Sequence, residues 1–181
     1  MPDDRPLDGV PGLSLRIAAA ADARAIKDLV DRAYAHYEPL LGRTPMPMLT
    51  DYDVAIADHA VWLVEPTEGC LAGVLEIVER SDHLWIDNVA VDPAWQGRGL
   101  GRQLLRFADE EARRLALPEL RLLTNERYLA NIAMYERYGY RETHREPHLG
   151  SDLVHFRKAI PAYGPNVRER RSRPSLAQGS G

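Results

Sequence analysis

The sequence predicts an α+β fold, a single domain built on a mixed, mostly antiparallel sheet flanked by helices. Its 181 residues fit one domain of roughly 150 residues with a tail. Three apolar runs between residues 61 and 91 are joined by turns too short for a helical crossover, so they read as an antiparallel meander. After that meander helical and extended patterns alternate. The expected order is β α α β β β α β α β β.

Residues 13–17 alternate apolar and polar and open that order as a strand. Asp22 stands where it can cap a first helix whose apolar positions Ala25, Ile26, Leu29, Val30, Ala33 and Tyr34 share a face. Pro39, Gly42, Pro45 and Pro47 break the chain over 38–47, and a shorter helix is expected from 49 or 50 to about 58. Strands follow at 61–64, 71–79 and 84–91. A helix then opens from the glycine-rich loop at 96–101, carrying Leu100, Leu104, Leu105, Ala108, Ala112 and Leu115 on one face until Pro118 ends it. Residues 120–123 form the next strand. Asn125 can cap a last helix bearing Ile132, Met134, Tyr135 and Tyr138, with Gly139 as its stop. Two final strands fall near 140–143 and 153–158. The domain is bounded at 13–160, with 1–12 read as a flexible amino-terminal segment and 161–181 as a basic, disordered tail.

Composition narrows the partners. A hydrophobic fraction of 45% and a charged fraction of 28% are those of a soluble globular chain. No apolar run nears the roughly 18 residues of a membrane span, and the first residues lack the apolar stretch of a signal peptide. The single cysteine, Cys70, fits a reducing compartment, so a cytoplasmic location is expected. Charge is uneven: Arg168, Arg170, Arg171 and Arg173 against Glu169 give residues 161–181 a net +3, which leaves −7 on the rest of a chain totalling −4. An acidic domain repels a phosphate backbone, so neither nucleic acid nor membrane is an expected partner.

Chemistry concentrates in the run from Asn88 to Gly101. Gly97, Gly99 and Gly101 alternate between a strand and a helix, which lets backbone N–H groups approach an anion while the helix N-terminus adds partial positive charge. Arg98 and Arg102 bracket the loop and offer charge-assisted bonds to phosphate. A pyrophosphate is the natural guest. No Gly-Lys-Ser/Thr follows, which argues against a triphosphate loop. The position after a meander argues against a dinucleotide fingerprint.

The loop Gln96-x-x-Gly99-x-Gly101, the strand end Val89-Ala90-Val91-Asp92-Pro93 and the later run Tyr135-Glu136-Arg137-Tyr138-Gly139-Tyr140 together resemble the GNAT superfamily of acyl-CoA-dependent N-acyltransferases. The resemblance spans 13–160. It implies that strands 84–91 and 119–124 lie parallel and splay apart, with acetyl-CoA as cosubstrate between them. Its pantetheine arm is then expected on the backbone of Val89, Ala90 and Val91. The pyrophosphate is expected on Gln96, Gly97, Arg98, Gly99, Leu100 and Gly101.

The same resemblance gives Tyr135 the task of protonating the departing thiolate, and a phenol with a pKa near 10 can do so while neutral at pH 7. Family members often carry an Asn where this chain has Tyr128. Asn131, one helical turn before Tyr135, or else Asn125 takes over that cofactor contact. For the general base Asp87 is the first choice and Glu76 the second, and each also reads as an ordinary strand carboxylate. His36 falls near the loop that covers the acceptor site in the family. His144 and His148 are spaced like a metal pair, but Pro147 and the lack of further ligands argue against a metal.

The activity implied is transfer of an acetyl group from acetyl-CoA to a small-molecule or peptide amine by direct attack in a ternary complex. The alternative is a non-catalytic acyl-CoA-binding sensor or interaction module. The acidic domain favours a cationic acceptor by steering. No residue pattern names the acceptor or the oligomeric state, and a homodimer stays open.

Overall fold

The computed structural model of the chain describes residues 5–6 and 12–161, so the expected tail lies, but for Pro161, outside the described residues. Eight strands form one sheet: β1 Arg5–Pro6, β2 Leu13–Ile17, β3 Ala60–Pro66, β4 Gly73–Glu79, β5 Leu84–Val91, β6 Glu119–Asn125, β7 Arg141–His148 and β8 Ser151–Ala159. They lie in the order β1-β2-β3-β4-β5-β6-β8-β7. Every neighbouring pair is antiparallel except β5 and β6, which are parallel. The helices are α1 Ala23–Tyr34, α2 Glu38–Leu41, α3 Tyr52–Asp58, α4 Leu100–Arg114 and α5 Leu129–Arg137.

The sheet is covered on both faces, which explains why β3 reads as a nearly unbroken apolar run. Trp62 and Val64 face one core with Leu75, Ile77, the α4 side chains Leu100, Leu104 and Leu105, and Tyr135 of α5. Val61 and Leu63 face the other core with Val74 and the α1 stripe Ile26, Leu29, Val30 and Ala33. That stripe recurs at helical spacing, so burying it holds α1 on the sheet.

One irregularity in β5 shapes the centre of the molecule. Glu76 of β4 pairs with Asn88, but its neighbour Ile77 pairs with Ile86, so Asp87 is an extra residue with no partner. Such a bulge bends a strand and re-aims its side chains. Leu84 and Ile86 therefore join the α4 core, whereas Ala90 joins the α1 core. Alongside the bulge β5 parts from β6: only Leu84 with Leu120 and Trp85 with Arg121 remain in register. The remainder of β5 leaves the edge it turns toward β6 free of a strand partner.

Three local expectations are corrected. Asp22 does not cap α1, because it already lies in a 3-10 turn over Ala20–Asp22 and has helical backbone angles. Its carboxylate accepts from the Ala19 N–H at 2.7 Å and from Arg16 Nη1 at 2.7 Å. Asn125 does not cap α5, which starts at Leu129. It ends β6, accepts from the Arg127 N–H at 3.0 Å and donates Nδ2 to Ser151 Oγ at 2.7 Å. Pro39 does not break the chain but sits in the first turn of α2, where its missing N–H costs nothing. Within the amino-terminal segment expected to be flexible, Arg5 and Pro6 pair with Leu15 and Ser14.

Candidate active site

Where β5 and β6 separate, two neighbouring cavities form the halves of a cleft. The larger, about 460 Å³, lies over the glycine loop and is lined by Val89, Ala90 and Val91 of β5, by Gln96, Gly97, Gly99, Leu100 and Gly101, and by α5. The smaller, about 230 Å³, lies toward the segment between α2 and α3 and is lined by Asp87, Asn88, Tyr128 and Tyr135 among others. Tyr34, Val89 and Asn131 line both halves, so they mark the junction.

The loop half is built to receive an anion. Gly97 and Gly99 have φ of +75° and +82°, and a Cβ on either would meet nothing within 4 Å. The left-handed backbone is the reason for glycine there, and the space beside it is open. Gly99 precedes α4 without any side-chain cap, so the first N–H groups of that helix keep their hydrogen-bonding capacity. Gln96 ties the loop to the strand by donating Nε2 to Val91 O at 3.1 Å. Asp92 fixes the loop's start, accepting from the Ala94 N–H at 2.9 Å and from Arg32 Nε of α1 at 2.8 Å.

Arg102 and Arg137 line this half, and no Asp or Glu does. Neither arginine has a carboxylate partner among the described residues. A basic, acid-free surface on an acidic domain is an electrostatic trap for phosphate. Arg98 is not part of the lining; its guanidinium lies 4.8 Å from the centre of the Trp95 ring at the lip. His36, expected near the loop that covers the acceptor site, lines the loop half, with its ring 3.8 Å from that of Tyr37.

The smaller half contains a polar chain that the sequence did not announce. Tyr34 donates to Asn88 Oδ1 at 2.8 Å, Asn88 Nδ2 donates to Tyr52 at 3.2 Å, and Tyr52 donates to Pro47 O at 2.9 Å. Asn88 is thereby satisfied although buried. Its one sequence signal is that Asp87 and Asn88 are consecutive polar residues inside an apolar strand. Tyr37 donates to Asn131 Oδ1 at 3.1 Å, and its ring stacks on Tyr128 at 3.7 Å. Asn131 thus faces the cleft, but its side-chain oxygen already serves the aromatic cover.

Tyr135 is buried between Tyr140 and Phe156, with ring centres 5.8 and 5.9 Å away. Burial, with a smaller contribution from Tyr37, holds its phenol well above the ordinary value, so it stays protonated. Asp87 is exposed on the cleft wall and accepts from Trp85 Nε1 at 2.9 Å. Glu76 does not line the cleft; it is buried on β4, paired across the strands with Asn88, and shares a 2.6 Å hydrogen bond with His59 Nδ1. Desolvation raises its pKa, and the bond to His59 works against that rise.

Away from the cleft, His144, Glu146 and His155 bring potential ligand atoms within 4.8 Å of one another. The two imidazoles stack at 4.1 Å with 15° between planes, so their in-plane lone pairs run side by side rather than converging as a tetrahedral metal requires.

A model of the acetyltransferase (GNAT) family matches residues 24–140. The ribosomal-protein-S18-alanine N-acetyltransferase of Escherichia coli superposes with a TM-score of 0.68 at 22% identity, covering 86% of this chain and 98% of that one. PaiA N-acetyltransferase of Thermoplasma acidophilum, in complex with coenzyme A, gives 0.67 at 13% identity over 81% and 98%. A GNAT family acetyltransferase from Elizabethkingia anophelis with acetyl-CoA bound gives 0.62 at 17% over 83% and 100%. At these identities the likeness is one of fold. None of the curated proteins compared with the chain matches it. No helix among the described residues is long and apolar enough to cross a membrane. The split of β5 from β6, the uncapped glycine loop and the matched residues 24–140 lead to one conclusion: the chain belongs to the acetyltransferase (GNAT) family.

Proposed function

We propose that the protein is an N-acetyltransferase that binds acetyl-CoA in the loop half of the cleft and an amine in the smaller half. The observation that carries this reading is that the two halves share the walls formed by Tyr34, Val89 and Asn131, with one half basic and acid-free. The open positions beside Gly97 and Gly99 fit a pyrophosphate, with Arg102 and Arg137 supplying charge. Acetyl-CoA supplies the activated acetyl thioester.

The residues divide the remaining work. Backbone N–H groups within Val89, Ala90 and Val91, unpaired toward β6, polarise the acyl carbonyl. Asp87 takes the proton that an ammonium must lose before it can attack, and Glu76, outside the cleft, is the weaker candidate for that role. Tyr135 returns a proton to the departing sulfur, and its buried phenol is a donor across the working pH range. Asn131 holds Tyr37 over the junction. The smaller volume of the acceptor half favours small amines over folded proteins.

The test is amine-dependent release of free thiol from acetyl-CoA, followed across a panel of amines. Release that rises with amine concentration is expected. Saturable acetyl-CoA binding with no release for any amine would instead support the non-catalytic sensor.

A further inference from the structure

In the smaller half of the cleft one cation stands without a partner among the described residues. Arg43 lines that cavity, its Nε is buried without a hydrogen bond, and no carboxylate among the described residues pairs with it. Arg43 is half-buried, but a guanidinium N–H shut away from water without an acceptor is costly, which points to a partner that arrives from outside.

The segment that carries Arg43 is held in place. Gly42, at φ +68°, turns the chain out of α2. Arg127 donates Nη1 to Leu40 O at 2.8 Å just before that turn. Beyond Arg43, Thr44 donates to Glu38 at 3.2 Å, and Tyr52 clasps Pro47 O at 2.9 Å. Asp87 lines the same cavity, yet no ion pair joins it to Arg43 among the described residues. The cavity therefore presents one unpaired cation and one carboxylate at separate places, between largely apolar walls such as Met46, Pro47, Leu122 and Leu153.

We propose that the acceptor is a small amino acid, its carboxylate held by the Arg43 guanidinium and its amine turned toward Asp87. This rests on the acetyl-transfer reading above and sharpens it. It also replaces the cationic acceptor that net charge alone suggests, because the local cation outweighs the distant field once the ligand is desolvated. A cavity of about 230 Å³ is smaller than the usual drug-sized site and suits a ligand of this size.

The experiment compares free L-amino acids with their amides and their decarboxylated amines, by thiol release from acetyl-CoA, in the wild type and in Arg43→Gln. At least one acid should exceed its amide in kcat/KM by about 10- to 100-fold, the worth of a charge-assisted pair. Arg43→Gln should remove that advantage, with the rate on the acid falling far more than the rate on the amide, while the melting shift given by acetyl-CoA persists. Arg43→Lys should restore part of it, since charge remains but the planar fork does not. Equal rates on acid and amide, an equal loss on both in Arg43→Gln, or transfer to peptides or polyamines but to no free amino acid would overturn the proposal. If acetyl-CoA gives no melting shift and no amine drives release, the acetyl-transfer reading fails and this inference falls with it.

Discussion

Tyr135 shows how one residue serves both core and cleft. Its ring packs between Tyr140 and Phe156 while the residue lines the smaller half of the cleft. Tyr135→Phe keeps the ring and removes the proton donor, so turnover should fall by about 10² to 10⁴ while acetyl-CoA still raises the melting temperature. Tyr138→Phe is the control: Tyr138 lines only the loop half, and its loss should leave kcat within about twofold, a change of less than 0.5 kcal/mol. The raised pKa of Tyr135 also predicts that kcat does not decline at the ordinary phenol value near 10. Asp22 makes a different kind of prediction. Arg16 holds its carboxyl below the usual value, with the Ala19 N–H adding to the effect, so its stabilisation is present at neutral pH and lost as pH falls. Asp22→Asn should therefore cost about 1–2 kcal/mol at pH 7, and the gap to wild type should begin to narrow in denaturation curves only as pH falls below the ordinary carboxylate value of about 3.9, closing further down.

The elements differ in how legibly the sequence wrote them. β2 and β5 match their expected bounds, because alternation and flanking turns define them. The glycine loop was legible because Gly97 and Gly99 answer a local backbone need. α2 was not, since a four-residue helix among prolines carries no periodic stripe. The β5 bulge was not read either: it arises from pairing with β4, and the alternation of buried residues across it looks continuous although the face has changed. Arg43, Asn88 and Tyr37 were missed for the same reason, their roles existing only once distant segments meet. A test belongs to the loop. Gly99→Val forces a β-branched residue into a left-handed conformation at the mouth of the cleft, and it should abolish the acetyl-CoA melting shift. Gly69→Val, in the β3–β4 turn at φ +110°, carries comparable strain and should leave the shift intact.

At the scale of the molecule, the single parallel junction in an otherwise antiparallel sheet sets where the cleft opens. Its two parallel strands part beyond the bulge, the glycine loop closes one end and the α2–α3 segment covers the other. Net charge could not reveal this, because the acid-free loop half lies within a domain whose overall balance is negative. The central claim is that this cleft takes acetyl-CoA, and thermal unfolding with and without the ligand tests it most directly. Acetyl-CoA at about a hundred times its dissociation constant should stabilise the wild type by roughly 2.7 kcal/mol, and ATP or NAD at the same concentration should not. No shift with acetyl-CoA, or an equal shift with all three, would contradict the account.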